Sequence, residues 1–248
     1  MHHFFVTPEC VNDENIIING SDVNHIKNVL RMKQGEELLI SDGQGKDYLC
    51  KIDSINSEQV IAKIIEGEYG GSELPACFYL FQGLPKSDKM ELIIQKAVEL
   101  GCYQIIPVQT KRSIVKLDKK KEEAKLKRWN AISESAAKQS RRSIVPEVMS
   151  VMSYKEAVEY ASEFDINLIP YENYKGMKET MQAIEGVKSG QRVGIFIGPE
   201  GGFEESEVDY AVSRGVKRIS LGKRILRTET AGMTILSVLM FKLEGEQD

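Results

Sequence analysis

The residues best suited to chemistry in this sequence are one carboxylate and two arginines, all set in glycine-bearing loops. Glu200 lies within Gly198-Pro199-Glu200-Gly201-Gly202, and Arg224 and Arg227 flank Ile225-Leu226 shortly after Gly222. Glycines let a ligand approach the backbone closely, and a carboxylate among them suits a cationic or hydrogen-bond-donating ligand. The fork of an arginine suits a phosphate or carbonyl oxygen, although two arginines in a loop are equally consistent with surface ion pairs. Neither stretch is a standard phosphate cradle. Both the Walker spacing Gly-x-x-x-x-Gly-Lys-Ser/Thr and the Rossmann spacing Gly-x-Gly-x-x-Gly are missing.

Other chemistries find little support. His2, His3 and His25 form no nucleophile or metal pattern, and no Ser-His-Asp order is legible. Cys10, Cys50, Cys77 and Cys102 are widely spaced without a Cys-x-x-Cys pair. That predicts four reduced thiols, no zinc site and no disulfide framework. Hydrophobic residues make up 42% and charged residues 28%, the balance of a soluble globular chain. The longest apolar runs are far shorter than a membrane span, and the N-terminus lacks the pattern of a signal peptide. A cytoplasmic protein is expected.

The elements that must position the loops follow a clear pattern. Each loop comes after a short apolar run and before a helical pattern, so each marks the carboxyl end of a buried strand. Ligands of open α/β sheets bind at that end. Around them, residues 77–84, 103–108, 166–170, 192–197 and 216–221 read as strands. They alternate with helical patterns, the mark of a mainly parallel sheet. Ser87 is a candidate cap for the helix carrying Met90, Ile93, Ile94, Ala97 and Val98. Residues 118–139 predict a long charged helix with a buried stripe of Leu126, Trp129, Ile132 and Ala136, and Ser153-Tyr154-Lys155-Glu156 is a capping box. Further helices are expected at about 176–187, from Glu204 to Gly215, and from Thr228 onward.

The N-terminal part has a different pattern. Short β-like runs at 4–6, 16–18, 37–41, 47–55 and 59–65 surround one helix, with Ser21 as its candidate cap and Val23, Ile26 and Leu30 on one face. A small β-barrel over residues 1–72 is predicted, followed by an α/β domain over 73–248. The linker is 66–75, where glycines and a proline replace apolar residues.

Net charge is −4, but its distribution is uneven. Residues 1–72 carry six Lys/Arg and twelve Asp/Glu, whereas residues 111–142 carry twelve Lys/Arg and four Asp/Glu. A local positive excess on an acidic chain suits a polyanion, because phosphate binding releases counterions. A solvated helix face would look the same.

Ile197–Phe203 and Leu221-Gly222-Lys223-Arg224-Ile225-Leu226-Arg227-Thr228-Glu229-Thr230-Ala231 together closely resemble the two C-terminal motifs of the RsmE family. These are bacterial methyltransferases of N3 of a uridine in small-subunit (16S) ribosomal RNA. They belong to the SPOUT class, whose C-terminal chain forms a trefoil knot. His25-Ile26-Lys27-Asn28-Val29-Leu30-Arg31 and Ser41–Gly45 resemble the family's PUA-like RNA-binding domain. Lys96–Gly101 and Ala137-Lys138-Gln139-Ser140-Arg141-Arg142 resemble its central motifs. Two positions depart from the pattern: His3 stands where the family often has arginine, and Arg141 where a turn glycine is usual.

The resemblance implies S-adenosylmethionine as cofactor, bound in bent form by three loops. On this sequence they are Pro170-Tyr171-Glu172, Ile197-Gly198-Pro199 with Gly201 and Gly202, and Ser220-Leu221-Gly222 through Ile225, Leu226 and Thr230. Methylation at N3 needs a base or a cation for the charge that develops on a uracil oxygen; Arg227, then Arg224, is the expected cation, with Glu200 as a weaker candidate base. Arg31, Lys138, Arg141 and Arg142 are the expected RNA contacts, and a homodimer through the helix 228–244 is expected. A SPOUT enzyme acting on ribose 2′-oxygen or transfer RNA, and a non-catalytic RNA-binding assembly factor, are the alternatives.

Overall fold

The computed structural model describes residues 1–246, which form two compact units. One comprises Met1–Glu73 with Ala137–Val145, the other Leu74–Ala136 with the chain from Pro146 onward.

The first unit is a five-stranded sheet built from β1 (His2–Phe5), β2 (Asn15–Asn19), β3 (Glu37–Ser41), β4 (Asp47–Ile55) and β5 (Gln59–Gly67). Their order is β1-β3-β4-β5-β2, with β1 parallel to β3 and the other pairs antiparallel. Register shifts in the β4–β5 ladder, at Leu49/Cys50 and Ile52/Ser54, add local bend and twist. Phe4, Ile16, Ile26, Leu38, Ile40 and Ile52 fill the core. The expected helix is α1 (Ser21–Asn24), continued by a π-helical turn over His25–Val29. Ser21 is its first residue and not its cap, since Gly20 takes that position without a side-chain bond.

Segment 137–145 joins this unit through polar contacts. Arg142 is buried, 3% exposed, and its Nε donates to both Glu73 carboxylate oxygens at 3.0 Å. The backbone N–H groups of Ser143 and Ile144 donate to the same carboxylate, and Ser143 Oγ donates to Asp47 at 2.6 Å. Asp47 also accepts from Ser41, whose hydroxyl lies 2.7 Å from His3 Nε2. Burial holds the His3 imidazole below its ordinary pKa, despite the Lys138 carbonyl and Asp47 nearby. Arg142→Ala should therefore destabilise this unit by about 3 kcal/mol, the low end for a broken buried ion pair, because Glu73 keeps two backbone donors. The midpoint of denaturant unfolding measures it.

The second unit is a parallel sheet in which continuous apolar strands are covered on both faces. Its strands are β6 (Cys77–Gly83), β7 (Cys102–Gln109), β8 (Glu147–Val148), β9 (Met152–Ser153), β10 (Ile166–Pro170), β11 (Arg192–Ile197) and β12 (Lys217–Ile219). The order is β12-β10-β11-β6-β7-β8, with β9 also pairing β7. Phe81 and Phe196, opposite each other in the β6–β11 register, stack at 4.4 Å. The helices are α2 (Lys89–Glu99), α3 (Lys119–Ser140, whose last turn belongs to the first unit), α4 (Tyr154–Ala161), α5 (Met177–Glu185), α6 (Glu205–Ser213) and α7 (Thr228–Glu244).

The Ser153–Glu156 capping box is formed as expected. Ser87 does not cap α2. Its φ of 56° puts it in the left-handed region, and Asp88 occupies the cap position. The last strand is shorter than 216–221, and β8 and β9 were not anticipated. Trp129 and Ala136 of α3 are buried together with Ser133, while Leu126 and Ile132 are only partly covered. Gly232, Ile235, Leu236, Leu239 and Leu243 form the buried face of α7.

Candidate functional site

The loops after β10, β11 and β12 meet at the carboxyl edge of the second unit's sheet, beside the point where β11 and β6 lie next to each other. They enclose a cleft of about 410 Å³, within the size range of small-molecule sites. Pro170, Tyr171 and Glu172 come from the first loop, Ile197, Gly198, Pro199, Glu200 and Gly202 from the second, and Ser220, Leu221, Gly222, Arg224, Ile225, Leu226 and Arg227 from the third. All were expected from sequence. Two expected residues are not among the lining residues. The Gly201 carbonyl accepts from Arg112 Nη1 at 2.8 Å, and Thr230 is exposed one turn into α7. Lys89, Phe203 and Ala231 line the cleft without having been assigned to it, and Lys223 and Thr228 line it from within the third expected loop.

Hydrogen bonds hold the three loops in place. Tyr171 N–H donates to Ile219 O at 3.1 Å, and Ser220 N–H donates to Thr180 Oγ1 at 2.8 Å. The main clamp is Thr228. Its hydroxyl donates to Gly198 O at 2.6 Å and accepts from Gln82 Nε2 at 2.8 Å, so β6, the β11 loop and α7 share one atom. Thr228→Val should cost about 1–3 kcal/mol, because Gly198 O and Gln82 Nε2 each lose a partner. A lowered unfolding midpoint together with weakened ligand binding at the cleft would show it.

Close packing explains two glycines. A Cβ on Gly83 would lie 2.6 Å from Pro199 Cδ, and one on Gly198 would lie 2.9 Å from the Gly202 carbonyl carbon. Gly202 and Gly222 differ: both have positive φ, and a Cβ there would meet nothing within 4 Å. The space beside their α-carbons is open, so a ligand can come close to the main chain, while their N–H groups donate to Pro199 O at 2.8 Å and Ser220 Oγ at 3.3 Å.

The electrostatics are uneven. Glu200 accepts from Lys86 N–H at 3.1 Å and pairs with Lys89 Nζ at 3.1 Å. Partial burial alone would raise its carboxyl pKa, but hydrogen bonds from its own backbone, Lys89 and Lys86 outweigh this and hold it below the usual carboxylate range. Lys89 also lies 3.6 Å from Glu229 Oε2, an otherwise unpartnered buried oxygen. Its ammonium is held above the ordinary lysine value, chiefly by the Glu200 hydrogen bond. Arg224 and Arg227 are exposed at the rim, Arg227 at the cap position of α7, and Ile225 beside them is 84% exposed. The cleft thus offers room for close approach to the main chain, one fixed carboxylate paired with Lys89, and exposed cations at Lys223, Arg224 and Arg227. Sequence alone gave no signal for Lys89, which reads as a surface lysine until Glu200 is placed beside it.

The expected RNA-contacting residues lie in the first unit. Arg31 and Arg141 are exposed, with φ of 55° and 58°. Lys138 is partly covered and pairs with Asp22 at 3.1 Å. Arg142 corrects the expectation: its buried guanidinium is committed to Glu73 and does not face outward. Among the described residues there is no cluster fit to hold a metal ion and no helix long and apolar enough to cross a membrane.

Known proteins carry the same combination of units. A profile described as an RNA methyltransferase domain matches residues 72–240, and one described as an RNA methyltransferase PUA domain matches residues 18–65. Ribosomal RNA small subunit methyltransferase E of Bacillus subtilis (strain 168) is 39% identical over 230 residues, 92% of this chain and 90% of the relative. Its namesake in Mesomycoplasma hyopneumoniae (strain 232) is 37% identical, covering 96% of this chain and 98% of the relative. The crystal structure of the Neisseria gonorrhoeae protein of that name, bound to S-adenosyl methionine, superposes with a TM-score of 0.84 at 30% identity, covering 98% of both chains. A PUA unit, a parallel-sheet unit and this degree of likeness over nearly the whole length place the chain in the RNA methyltransferase family whose members are called ribosomal RNA small subunit methyltransferase E.

Proposed function

We propose that this protein transfers a methyl group from S-adenosylmethionine to N3 of one uridine in small-subunit (16S) ribosomal RNA. The observation that carries the reading is the cleft at the ends of β10, β11 and β12, where open glycine backbone and two arginines converge. The residues present fit the cofactor. Gly202 and Gly222 leave room for close main-chain approach, and backbone groups around Leu221 and Leu226 are suited to hold an adenine edge. When bound, the cofactor supplies an electrophilic methyl group on a cationic sulfur. Glu200, held ionised by Lys86 and Lys89, is a fixed anion suited to that cation.

Uracil N3 carries a proton at neutral pH. That proton must pass to water or another base as N3 bonds to the methyl carbon and the carbon–sulfur bond breaks, the electron pair of the broken bond staying on sulfur. Arg227, with Arg224 as second choice, supplies positive charge to the uracil oxygen on which negative charge develops. Glu200 is the poorer base, since its ion pair and lowered pKa both weaken its hold on a proton. The target base must leave its stack to reach the cleft. Arg31, Arg141 and Lys138 on the first unit suit phosphate contacts that position the RNA.

Two further features belong to the proposal. β12 lies at the sheet edge beyond β10, whereas α7 returns to pack on β11 and α2, a path consistent with the knot of the SPOUT class. Val238 and Phe241 of α7 are 41% and 78% exposed, an apolar face suited to a second copy of the chain. A dimer in sedimentation equilibrium is the expected result, and a monomer refutes that part.

The test is to incubate the protein with labelled S-adenosylmethionine and small-subunit ribosomal RNA or particles, then map the modified nucleotide. One N3-methylated uridine is expected. Label on a ribose oxygen, on transfer RNA only, or nowhere overturns the proposal.

A further inference from the structure

The positive stretch 111–142 divides between the two units, and most of its charge stays in the second. Residues 111–121 alone hold six Lys/Arg and one Asp. They form the connection from β7 into the first turn of α3. The connection is held firmly: Thr110 N–H donates to buried Ser113 Oγ at 3.2 Å, and Lys111 N–H donates to Glu207 at 2.9 Å.

Arg112 ties the connection to the cleft. Besides its bond to Gly201 O, its stem lies across the Gly201 α-carbon, so that a Cβ there would come within 3.3 Å of Arg112 Cβ. From that anchor the chain presents Ile114, 70% exposed, then Lys116, Lys119 and Lys120, all exposed and without an ion-pair partner among the described residues. The only acid in the stretch, Asp118, is occupied by the Lys121 backbone and side chain. Lysines at the start of a helix oppose its dipole and repel one another. The arrangement costs stability and brings Lys116, Lys119 and Lys120 no ion pair among the described residues.

We infer that this strip of the second unit is an RNA-docking surface: Lys116, Lys119 and Lys120 contact phosphates, and Ile114 packs on a base or sugar face next to the methylation cleft. It is distinct from the exposed Arg31 and Arg141 of the first unit, and it rests on the proposed action on RNA. Anchorage through Arg112 means that RNA held by the strip is registered against the loop carrying Glu200.

The experiment compares the full-length protein with the triple variant Lys116→Gln/Lys119→Gln/Lys120→Gln and with Ile114→Ser. Affinity for a small-subunit ribosomal RNA transcript is measured across a salt series. Loss of three phosphate contacts lowers the slope of log K against log salt by about 2, taking roughly 0.7 per contact for single-stranded RNA. Ile114→Ser weakens binding severalfold at an unchanged slope. Calorimetric binding of S-adenosylmethionine, equal in all three proteins, establishes that the variants are folded. A wild-type slope in the triple variant overturns the strip as a docking surface, and unchanged affinity in Ile114→Ser overturns the apolar contact. Wild-type protein that shows no salt-dependent binding to either the transcript or small-subunit particles refutes the proposed function itself.

Discussion

Arg227→Ala is expected to lower kcat by about 10²–10³-fold, the usual effect of removing one preplaced group that meets developing charge. The KM for S-adenosylmethionine should change little. Arg227 stands exposed at the rim of the cleft, at the cap position of α7, where its backbone extends before the helix begins. No side-chain bond caps the helix there, so truncation beyond Cβ leaves the backbone of α7 intact. A group needed only in the transition state lowers kcat and kcat/KM together. If Arg227 merely grips an RNA phosphate, the KM for RNA rises and the rate at saturating RNA recovers. Single-turnover kinetics at saturating cofactor separate the two, and full rate there removes the assignment. Arg224→Ala should act in the same direction more weakly.

Gly198→Ala should reduce cofactor affinity at least tenfold and cost about 1–3 kcal/mol of stability, as expected for added volume in a packed site. The new methyl would meet backbone on the far side of the loop, 2.9 Å from the Gly202 carbonyl carbon and 3.0 Å from its α-carbon. Backbone cannot swing aside as a side-chain tip can, so the loop itself must move. That movement pulls Gly198 O away from Thr228 and disturbs the open backbone at Gly202. Calorimetry with S-adenosylmethionine and a denaturant melt give the two quantities. Wild-type values in both would show that the loop is slack.

The parallel sheet was legible because its strands are continuous apolar runs ending in glycine-bearing loops. Burial on both faces leaves that mark wherever it occurs. The three cleft loops were legible for the same reason, with the family resemblance supplying the Pro170–Glu172 loop and the ligand. Helix entry was read less well. A serine before an apolar pattern is a competent cap, but Ser21 is already helical and Ser87 is turned into the left-handed region. Composition does not encode that geometry. β8 and β9, two residues each, are too short for any periodicity to register.

Side-chain charge was the least informative about place. Arg142 and Arg141 are neighbours in one basic run, yet one is buried against Glu73 and the other exposed. Only the packing of residues 137–145 with a segment some seventy positions earlier separates them. Arg141 also holds a φ of 58°, where the resemblance leads one to expect glycine. That conformation costs a non-glycine residue about 1 kcal/mol. The chain thus carries a charge at a turn that would close more easily without one.

The Thr228 clamp has a consequence for when the enzyme becomes competent. Strands β6, β10 and β11 can pair as soon as residue 197 is available, but the cleft formed by the loops after β10, β11 and β12 is not fixed until the hydroxyl of Thr228 reaches Gly198 and Gln82. Thr228 is carried by a helix whose buried face extends to Leu243. Until that helix docks, the sheet and the first two loops lack the contact that holds the Gly198 carbonyl in place. A fixed cleft therefore depends on the docking of α7 as much as on the sheet.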